Sequence, residues 1–516
     1  MAPPLTNPPP TPEDLHRSKL AWAKRSPGGP LPSNAAWLRG LPPDEARAFA
    51  GTVRRKPTRT LSGVAVVAVM TAPARCPHGR CSYCPGGLEL GSPQSYTGEE
   101  PSALRGAQFG WDAQAITRHR IETLEAIGHP TSKVEVIVMG GTFPARPRTY
   151  QETVLRGIYD GLNGARSGSL ADAVAANERA EHRMVGLTVE TRPDWCDERV
   201  LPFLLDAGVT RVELGVECLR DEVLEAVGRA HGSADVAEAT RSARDHGLKV
   251  CYHWMLGLPG MDPARDLADF RRLWAEEEFR PDLLKIYPTL VLPGTALYDD
   301  WKAGRYQPYD TETAVRVLAQ LKAELPPWVR IQRIQRDIPA RLLAAGVRAS
   351  NVRQLALRRL AAEGKTCRCL RCREAGRRAS PDPDAFRLTT TDYRAGGGRE
   401  TFFAWEEPTT DTVAGFLRLR YPSDDTPGGL DAPVIRELKV LGREVAVGAA
   451  GGGAREYQHR GFGRSLLAAA EQRARTDGFS RIFVRSAVGT RAYYGQLGYD
   501  RSGPHMAKAI FAGDNL

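Results

Sequence analysis

Cys76-Pro-His-Gly-Arg-Cys81-Ser-Tyr-Cys84-Pro-Gly-Gly87 places three cysteines in a C-x4-C-x2-C run directly after an apolar segment, Val64–Met70. Cysteines this close are poorly placed for a structural disulfide framework but well spaced to wrap thiolates around a metal centre. Three thiolates on one short loop hold three irons of a [4Fe-4S] cluster and leave the fourth iron open. An open iron takes the amino and carboxylate groups of S-adenosylmethionine, whose reductive cleavage gives a 5′-deoxyadenosyl radical. The competing reading is a zinc knuckle with His78 as the fourth ligand. Against it, His78 lies between the first two cysteines, and no second C-x2-C pair follows within the next few turns.

Outward from this loop the chain acquires a period. Short β-rich runs at Val64–Met70, Val134–Met139, Val185–Val189, Val209–Val216, Lys249–Met255 and Leu283–Tyr287 alternate with helical stretches such as the one carrying Ile121, Leu124 and Ile127. Strands alternating with helices imply parallel pairing through right-handed crossovers. Six such units over 61–335 predict a partial (β/α)6 barrel, with working groups at the C-terminal ends of its strands. At those ends stand Cys76 to Cys84, then Met139-Gly140-Gly141-Thr142-Phe143, Glu190-Thr-Arg192-Pro-Asp194, Gly215-Val-Glu217 and Gly257-Leu-Pro-Gly260. Glycines there let backbone approach a ligand, so Gly140, Gly141 and Glu190 are expected at the cofactor. A packing-only account does not need polar and Gly-rich signatures at one end of every strand.

A linker over 336–384 begins Arg336-Asp-Ile-Pro339 and carries Cys367, Cys369 and Cys372, three zinc ligands awaiting a fourth, or else a redox or second cluster site. Cys196, Cys218 and Cys251 stand alone and read as core residues. From 385 to 516 the pattern becomes mixed α+β. Gln458-His-Arg-Gly461-Phe462-Gly463-Arg464 follows a strand ending Glu437-Leu438-Lys439-Val440 and opens a helix, where exposed backbone N–H groups and the helix dipole suit a pyrophosphate.

With 516 residues the chain has length for two or three domains, each with its own core. The net charge of +10 is arginine-led, which suits a polyanionic partner without specifying one. Nine cysteines, six in two clusters, predict metal ligands in a reducing cytosol, and no secretory or membrane segment is legible. A cytoplasmic protein is expected. Residues 1–60 start Pro-rich and end Arg54-Arg-Lys-Pro-Thr-Arg59, either a solvated tail or an arm on phosphates.

The cysteine run resembles the radical-SAM signature, with Tyr83 as the aromatic before the last cysteine and a first gap one residue longer. The Gly461 segment, followed by Ile482–Ser486 and Tyr493-Tyr494, resembles the coenzyme A site of GNAT acetyltransferases. Fused in one chain, the two are similar to the Elongator catalytic-subunit family in its stand-alone prokaryotic form. The likeness runs from Lys56 to the C-terminus through Lys56-Pro-Thr-Arg-Thr-Leu-Ser-Gly63, Cys84-Pro-Gly-Gly, Gln94-Ser-Tyr-Thr-Gly98, Thr117-Arg-His-Arg120 and Arg336-Asp-Ile-Pro. The resemblance implies a tRNA carboxymethyluridine synthase. Acetyl-CoA in the GNAT half offers its acetyl group, the adenosyl radical removes a methyl hydrogen, and the carbon radical adds to carbon five of the wobble uridine. It implies cluster ligands at Cys76, Cys81 and Cys84, and an acetyl-CoA-associated lysine at Lys133, which read by itself is a solvated strand-edge lysine. Coenzyme A contacts are implied at Glu437 to Val440, Phe462 to Arg464 and Tyr494. Gly215-Val-Glu217-Cys218 departs from members with Gln and Ser there.

Expected partners are a tRNA anticodon stem-loop, its uridine splayed into a cleft between the domains, an electron donor and a second copy of the chain, with no membrane. The basic arm, Arg105, Arg118 and Arg120 are candidates to grip that stem-loop. The alternatives are a GNAT protein-lysine acetyltransferase with a structural barrel, and a tRNA-binding scaffold without transfer activity.

Overall fold

The computed structural model describes residues 11–25, 60–378, 381–423, 428–442 and 460–511, with single positions between 37 and 52 and at 457. The basic run at 54–59, most of the expected N-terminal arm and Gln458 lie outside the described residues. Among those described, no helix is long and apolar enough to cross a membrane.

The apolar runs become parallel strands: β1 (Ala65–Met70), β2 (Lys133–Met139), β3 (Arg183–Thr191), β4 (Arg211–Glu217), β5 (Lys249–Leu256), β6 (Leu283–Pro288) and β7 (Arg330–Ile334). They pair in sequence order, and β1 and β7 are not paired with each other, so the sheet is an open, partial barrel. It has one strand more than the six units expected. Arg330-Ile-Gln-Arg-Ile334 carries too little apolar character to announce itself, yet it pairs parallel with β6 and buries Ile331. Alternation sorts each strand into two faces. Val67, Val69, Val136, Val138, Val212, Leu214, Val250, Tyr252, Leu284 and Ile286 join a core with the outer helices. The alternate residues, among them Glu135, Glu190, Arg211, Glu213, Lys249, His253 and Lys285, turn inward.

The second lobe is another seven-stranded sheet: β8 (Arg387–Ala395), β9 (Gly398–Glu407), β10 (Thr412–Tyr421), β11 (Val434–Val440), β12 (Arg481–Val484), β13 (Asp500–Ser502) and β14 (His505–Ala509), in the order β13-β14-β12-β11-β10-β9-β8. Among the described residues of this sheet, only β11 and β12 run parallel. The helix Phe462–Thr476 lays Leu466, Leu467, Ala470 and Ala474 on this sheet.

The second lobe packs against the N-terminal rim of the barrel strands. Arg485 donates to the carbonyls of Leu205 (2.8 Å) and Val209 (2.9 Å), just before β4. Around Asp282, which precedes β6, lies a buried ion cluster. Arg436 donates to both Asp282 oxygens (2.7 and 2.8 Å) and to Glu400 (2.7 Å). Arg244 reaches Glu400 at 2.8 Å and Asp282 at 3.3 Å, and Arg420 binds Asp245 at 2.5 Å. None of these side chains is more than 1% exposed. Their charges hold the Asp282 carboxyl far below the ordinary carboxylate range despite its burial.

Removing one partner from such a cluster strands the others in low dielectric, a loss of about 3–5 kcal/mol. Arg436→Met should therefore lower the denaturant midpoint for both lobes together, read by circular dichroism and tryptophan fluorescence. His505, whose ring lies 3.1 Å from the carbonyl of His246, is held by burial and by Arg485 down to about 3 from 6.5. The unfolded chain binds a proton there that the folded chain refuses, so stability present above 6.5 falls as pH drops toward 3. From about pH 7 to about pH 5 this contributes roughly 2 kcal/mol of lost stability, and His505→Gln should flatten that part of the profile.

Candidate active site

The loop after β1 is pinned at both flanks. Ser82 N–H donates to the Val227 carbonyl (3.0 Å), Leu297 N–H to the Ser82 carbonyl (2.9 Å), and Arg80 Nε to the Cys84 carbonyl (2.9 Å). This fixes Cys76, Cys81 and Cys84 at the C-terminal rim, all three as free thiols. Cys81 and Cys84 are buried, and Cys76 is half-buried. Burial, then the neighbouring thiols Cys84 and Cys81, push the Cys76 thiol up to about 11, so Cys76 sits as a thiol until a metal claims it.

Among the described residues, only two groups bring three ligand atoms within 4.8 Å of one another, and neither includes Cys76, His78, Cys81 or Cys84. A single ion gathers its ligands that tightly; a cluster of irons spreads them. The geometry thus suits the cluster better than the knuckle. His78 Nε2 lies 3.2 Å from Cys81 Sγ, and burial with Arg192 and Arg229 holds this imidazole down to about 4, so it stays neutral. Cys84 Sγ accepts from Ser95 N–H (3.3 Å) and lies 3.1 Å from Gln94 Oε1.

Glycines make the room. Gly140 and Gly141 adopt φ of 122° and 102°; a Cβ on Gly140 would stand 2.3 Å from Thr71 Oγ1, and one on Gly141 3.8 Å from Cys76 Sγ. Gly86 is packed against the carbonyls of Pro93 and Tyr96, which a Cβ would approach to 2.3 and 2.4 Å.

Below the thiols, Glu190 accepts from Tyr96 Oη (3.3 Å) and lies 3.5 Å from Lys285 Nζ. Lys285 also pairs closely with Glu213, which accepts from His253 Nε2 (3.0 Å). Arg211 reaches Glu213 (3.4 Å) and Glu135 (2.6 Å). Glu190, Glu213 and His253 converge as metal ligands would, but the Lys285 ammonium already supplies the cation they need. The motifs gave Glu190 alone; the signal for the rest was charge in the middle of apolar strands, Glu213 in β4 and Lys285 in β6. A cavity of about 280 Å³ opens between β1 and β7, lined by Val66, Ala68, Arg105, Arg120, Lys285 and Arg333 among others.

Lys133 opens β2 and so stands at the opposite end of that strand from Met139 and Gly140. Glu437, Leu438, Lys439 and Val440 are in β11, which crosses below the barrel: Glu437 interacts electrostatically with Lys249, and Lys439 with Glu135. From Arg436 on, β11 has no ladder partner on its β12 side among the described residues, because pairing stops at Ile435. That splay leaves backbone donors and acceptors for a ligand. Gly461, at φ 82°, caps the helix Phe462–Thr476, with Gly463 and Arg464 in its first turn. A Cβ on Gly463 would stand 3.5 Å from both Val440 Cγ2 and Tyr493 Oη, so that helix start and the β11 strand converge. Tyr494 is buried among the rings of Tyr493 and Tyr499, and it is Tyr493, 40% exposed, that reaches the helix start.

The thiols therefore occupy the upper rim and β11 the lower. A strand length separates them, on the order of 20 Å, where a single cleft between the domains had been expected. The reason is the ion cluster, which closes the lobes together at the lower rim.

Cys367, Cys369 and Cys372 bring their sulfurs within 4.8 Å of one another, with Lys322 Nζ 3.1 Å from Cys367 Sγ. The segment ties both lobes: Leu370 N–H donates to Val329 (2.9 Å), and Ala375 N–H to Val413 (2.9 Å). Gly86→Ala should displace Cys84 relative to Tyr96 and lower the iron retained after anaerobic reconstitution. Iron assay and visible absorbance would register the loss with the fold intact by circular dichroism.

Comparison with known proteins gives residues 71–272 as a match to the Radical SAM superfamily, 281–362 to the Radical_SAM C-terminal domain, and 369–499 to the Acetyltransferase (GNAT) family. The tRNA uridine(34) acetyltransferase of Methanocaldococcus infernus is 44% identical over 495 residues, covering 93% of this chain and 92% of its own length. Human Elongator complex protein 3 is 41% identical over 514 residues, covering 96% and 93%. The solved structure of archaeal Methanocaldococcus infernus Elp3 with an N-terminal deletion superposes with a TM-score of 0.78 at 40% identity, over 87% of this chain and all of that one.

Proposed function

The chain belongs to the family of tRNA uridine(34) acetyltransferases and Elongator complex protein 3, and on that premise we propose that it forms 5-carboxymethyluridine at the wobble position of tRNA. The observation that carries the reading is one fold holding two chemistries: three free thiols at the upper rim of a radical-SAM barrel, and a splayed GNAT strand at its lower rim. Cys76, Cys81 and Cys84 would hold a [4Fe-4S] cluster, which with S-adenosylmethionine would supply radical chemistry for hydrogen abstraction.

The chain's own residues do the rest. Gly140, Gly141 and Glu190 shape the cofactor's seat beside Cys76, and Tyr96 and Lys285 hold the Glu190 carboxylate in place. Lys133 and Glu437 to Val440 act on acetyl-CoA from the lower rim, while Gly461, Phe462, Gly463 and Arg464 take its pyrophosphate with the N–H groups of the helix start. Tyr494 supports that seat through Tyr493. Cys367, Cys369 and Cys372 would hold Zn²⁺ as a staple between the lobes, and the Lys322 ammonium lies beside their sulfurs. The arginine-led charge grips the anticodon stem-loop, with Arg105 and Arg120 at the barrel's side opening. An external one-electron donor, cytoplasmic residence and a homodimer complete the proposal.

The test is anaerobic reconstitution, incubation of tRNA with acetyl-CoA and S-adenosylmethionine, and nucleoside analysis. Carboxymethyluridine is expected from the native chain and none from Cys81→Ala. Acetylation of peptides without reductant, undiminished by Cys81→Ala, would favour the protein-lysine acetyltransferase instead.

A further inference from the structure

Arg229 lies outside every motif in the sequence, just after the short helix Asp221–Ala226, and its side chain is 9% exposed. Its Nη1 points at Cys81 Sγ at 3.9 Å, and its Nη2 donates to the Gly215 carbonyl in a close contact. The counter-charge is Glu217, 3.5 Å away and itself 11% exposed. Glu217 is held at φ 70°, a left-handed conformation that side chains rarely adopt and that persists only where the surroundings enforce it. A Cβ on Gly215 would stand 2.8 Å from Arg229 Nη2 and would push the guanidinium aside. Arg229 Nε is buried with no hydrogen-bond partner. Two contacts, with the Gly215 carbonyl and the Glu217 carboxylate, thus hold one guanidinium against one sulfur.

A buried cation beside a thiolate has a definite effect when that thiolate ligates iron. An electron added to the cluster increases the negative charge facing the guanidinium, in surroundings where charges interact far more strongly than in water. Hydrogen bonds to ligating sulfurs and nearby charge are among the levers that set such potentials.

We propose that Arg229 is a positioning residue that raises the reduction potential of a cluster bound at Cys76, Cys81 and Cys84, and that Glu217 trims its effect. The step is a one-electron reduction: the cluster gains one electron, and an external one-electron donor is oxidised by one. The inference rests on the cluster reading and deepens it, since it says which residue makes that centre reducible.

The test is a dye-mediated redox titration of the full-length, anaerobically reconstituted protein, with the reduced cluster detected by electron paramagnetic resonance and titanium(III) citrate as reductant. Arg229→Gln should make the reduced state at least tenfold less favourable, a shift of 59 mV to more negative potential for one electron. Arg229→Lys should fall between. Glu217→Gln should move the potential the other way, which keeps the test informative should Arg229→Gln fail to fold. Potentials unchanged in Arg229→Lys and Glu217→Gln, each with a full complement of iron, would overturn the role of Arg229. A native chain that assembles no cluster would overturn the thiol reading itself, and the two failures are distinguished by iron content.

Discussion

Asp282 is where the two lobes become one molecule. Arg436 and Arg418 come from adjacent strands of the second lobe, Arg244 from the helix before β5, and all three point at this carboxylate from their own directions. Glu400 and Asp245 accept what remains. A hydrophobic seam of similar size would bind as tightly, since burying ions has a large desolvation cost. Charge adds angular demand: each guanidinium presents a planar fork that fits its carboxylates in a single arrangement. The rim positions of the barrel thus dictate where β11 lies, and with it everything placed on β11.

That constraint explains why the inward faces of the barrel are polar. An ordinary closed barrel fills its lumen with branched apolar side chains. Here Glu135, Arg211, Glu213, Lys285 and Glu190 follow one another by contact from the β11 end toward Tyr96, which adjoins the segment bonded to Cys84. Each charge is offset by its neighbour, and removing one leaves the next uncompensated. The outer faces supply the apolar burial, so the barrel stands on its helices and keeps its lumen for polar groups.

How legible this was follows from the range of each interaction. Strands β1 to β6 announced themselves because the alternate residues that meet the outer helices are apolar and mostly β-branched or leucine. The thiol loop was legible because ligand spacing is local in sequence. β7 was not, since only Ile331 of its five residues is buried. The ion cluster was invisible for another reason: Arg436 and Asp282 are 154 residues apart, and nothing local in Ile435-Arg436-Glu437 says which carboxylate it meets. Tyr493 and Tyr494 illustrate the finest limit. Adjacent in a short helix, they diverge by about a hundred degrees, and only the packing against Tyr499 decides which one is buried.

At the upper rim the cations face sulfur as well as carboxylates. In the lower lumen and at the seam, acids and bases alternate and cancel. Around the thiols, Arg192 and Arg229 act on Cys76 as cations, and each keeps one buried nitrogen without a hydrogen-bond partner. Arg192 is paired with Asp194 (2.6 and 2.8 Å) and Arg229 with Glu217, yet the unused donors remain. Buried unpaired donors are costly, and a fold retains them where something else takes up the bond. Three thiolates sharing a cluster would carry net negative charge into a site where Cys81 and Cys84 are buried. Arg211 in the lumen and Arg244, Arg418 and Arg436 at the seam also keep unused nitrogens, but those side chains face carboxylates, whereas Arg192 and Arg229 act on sulfur and so complement such a centre.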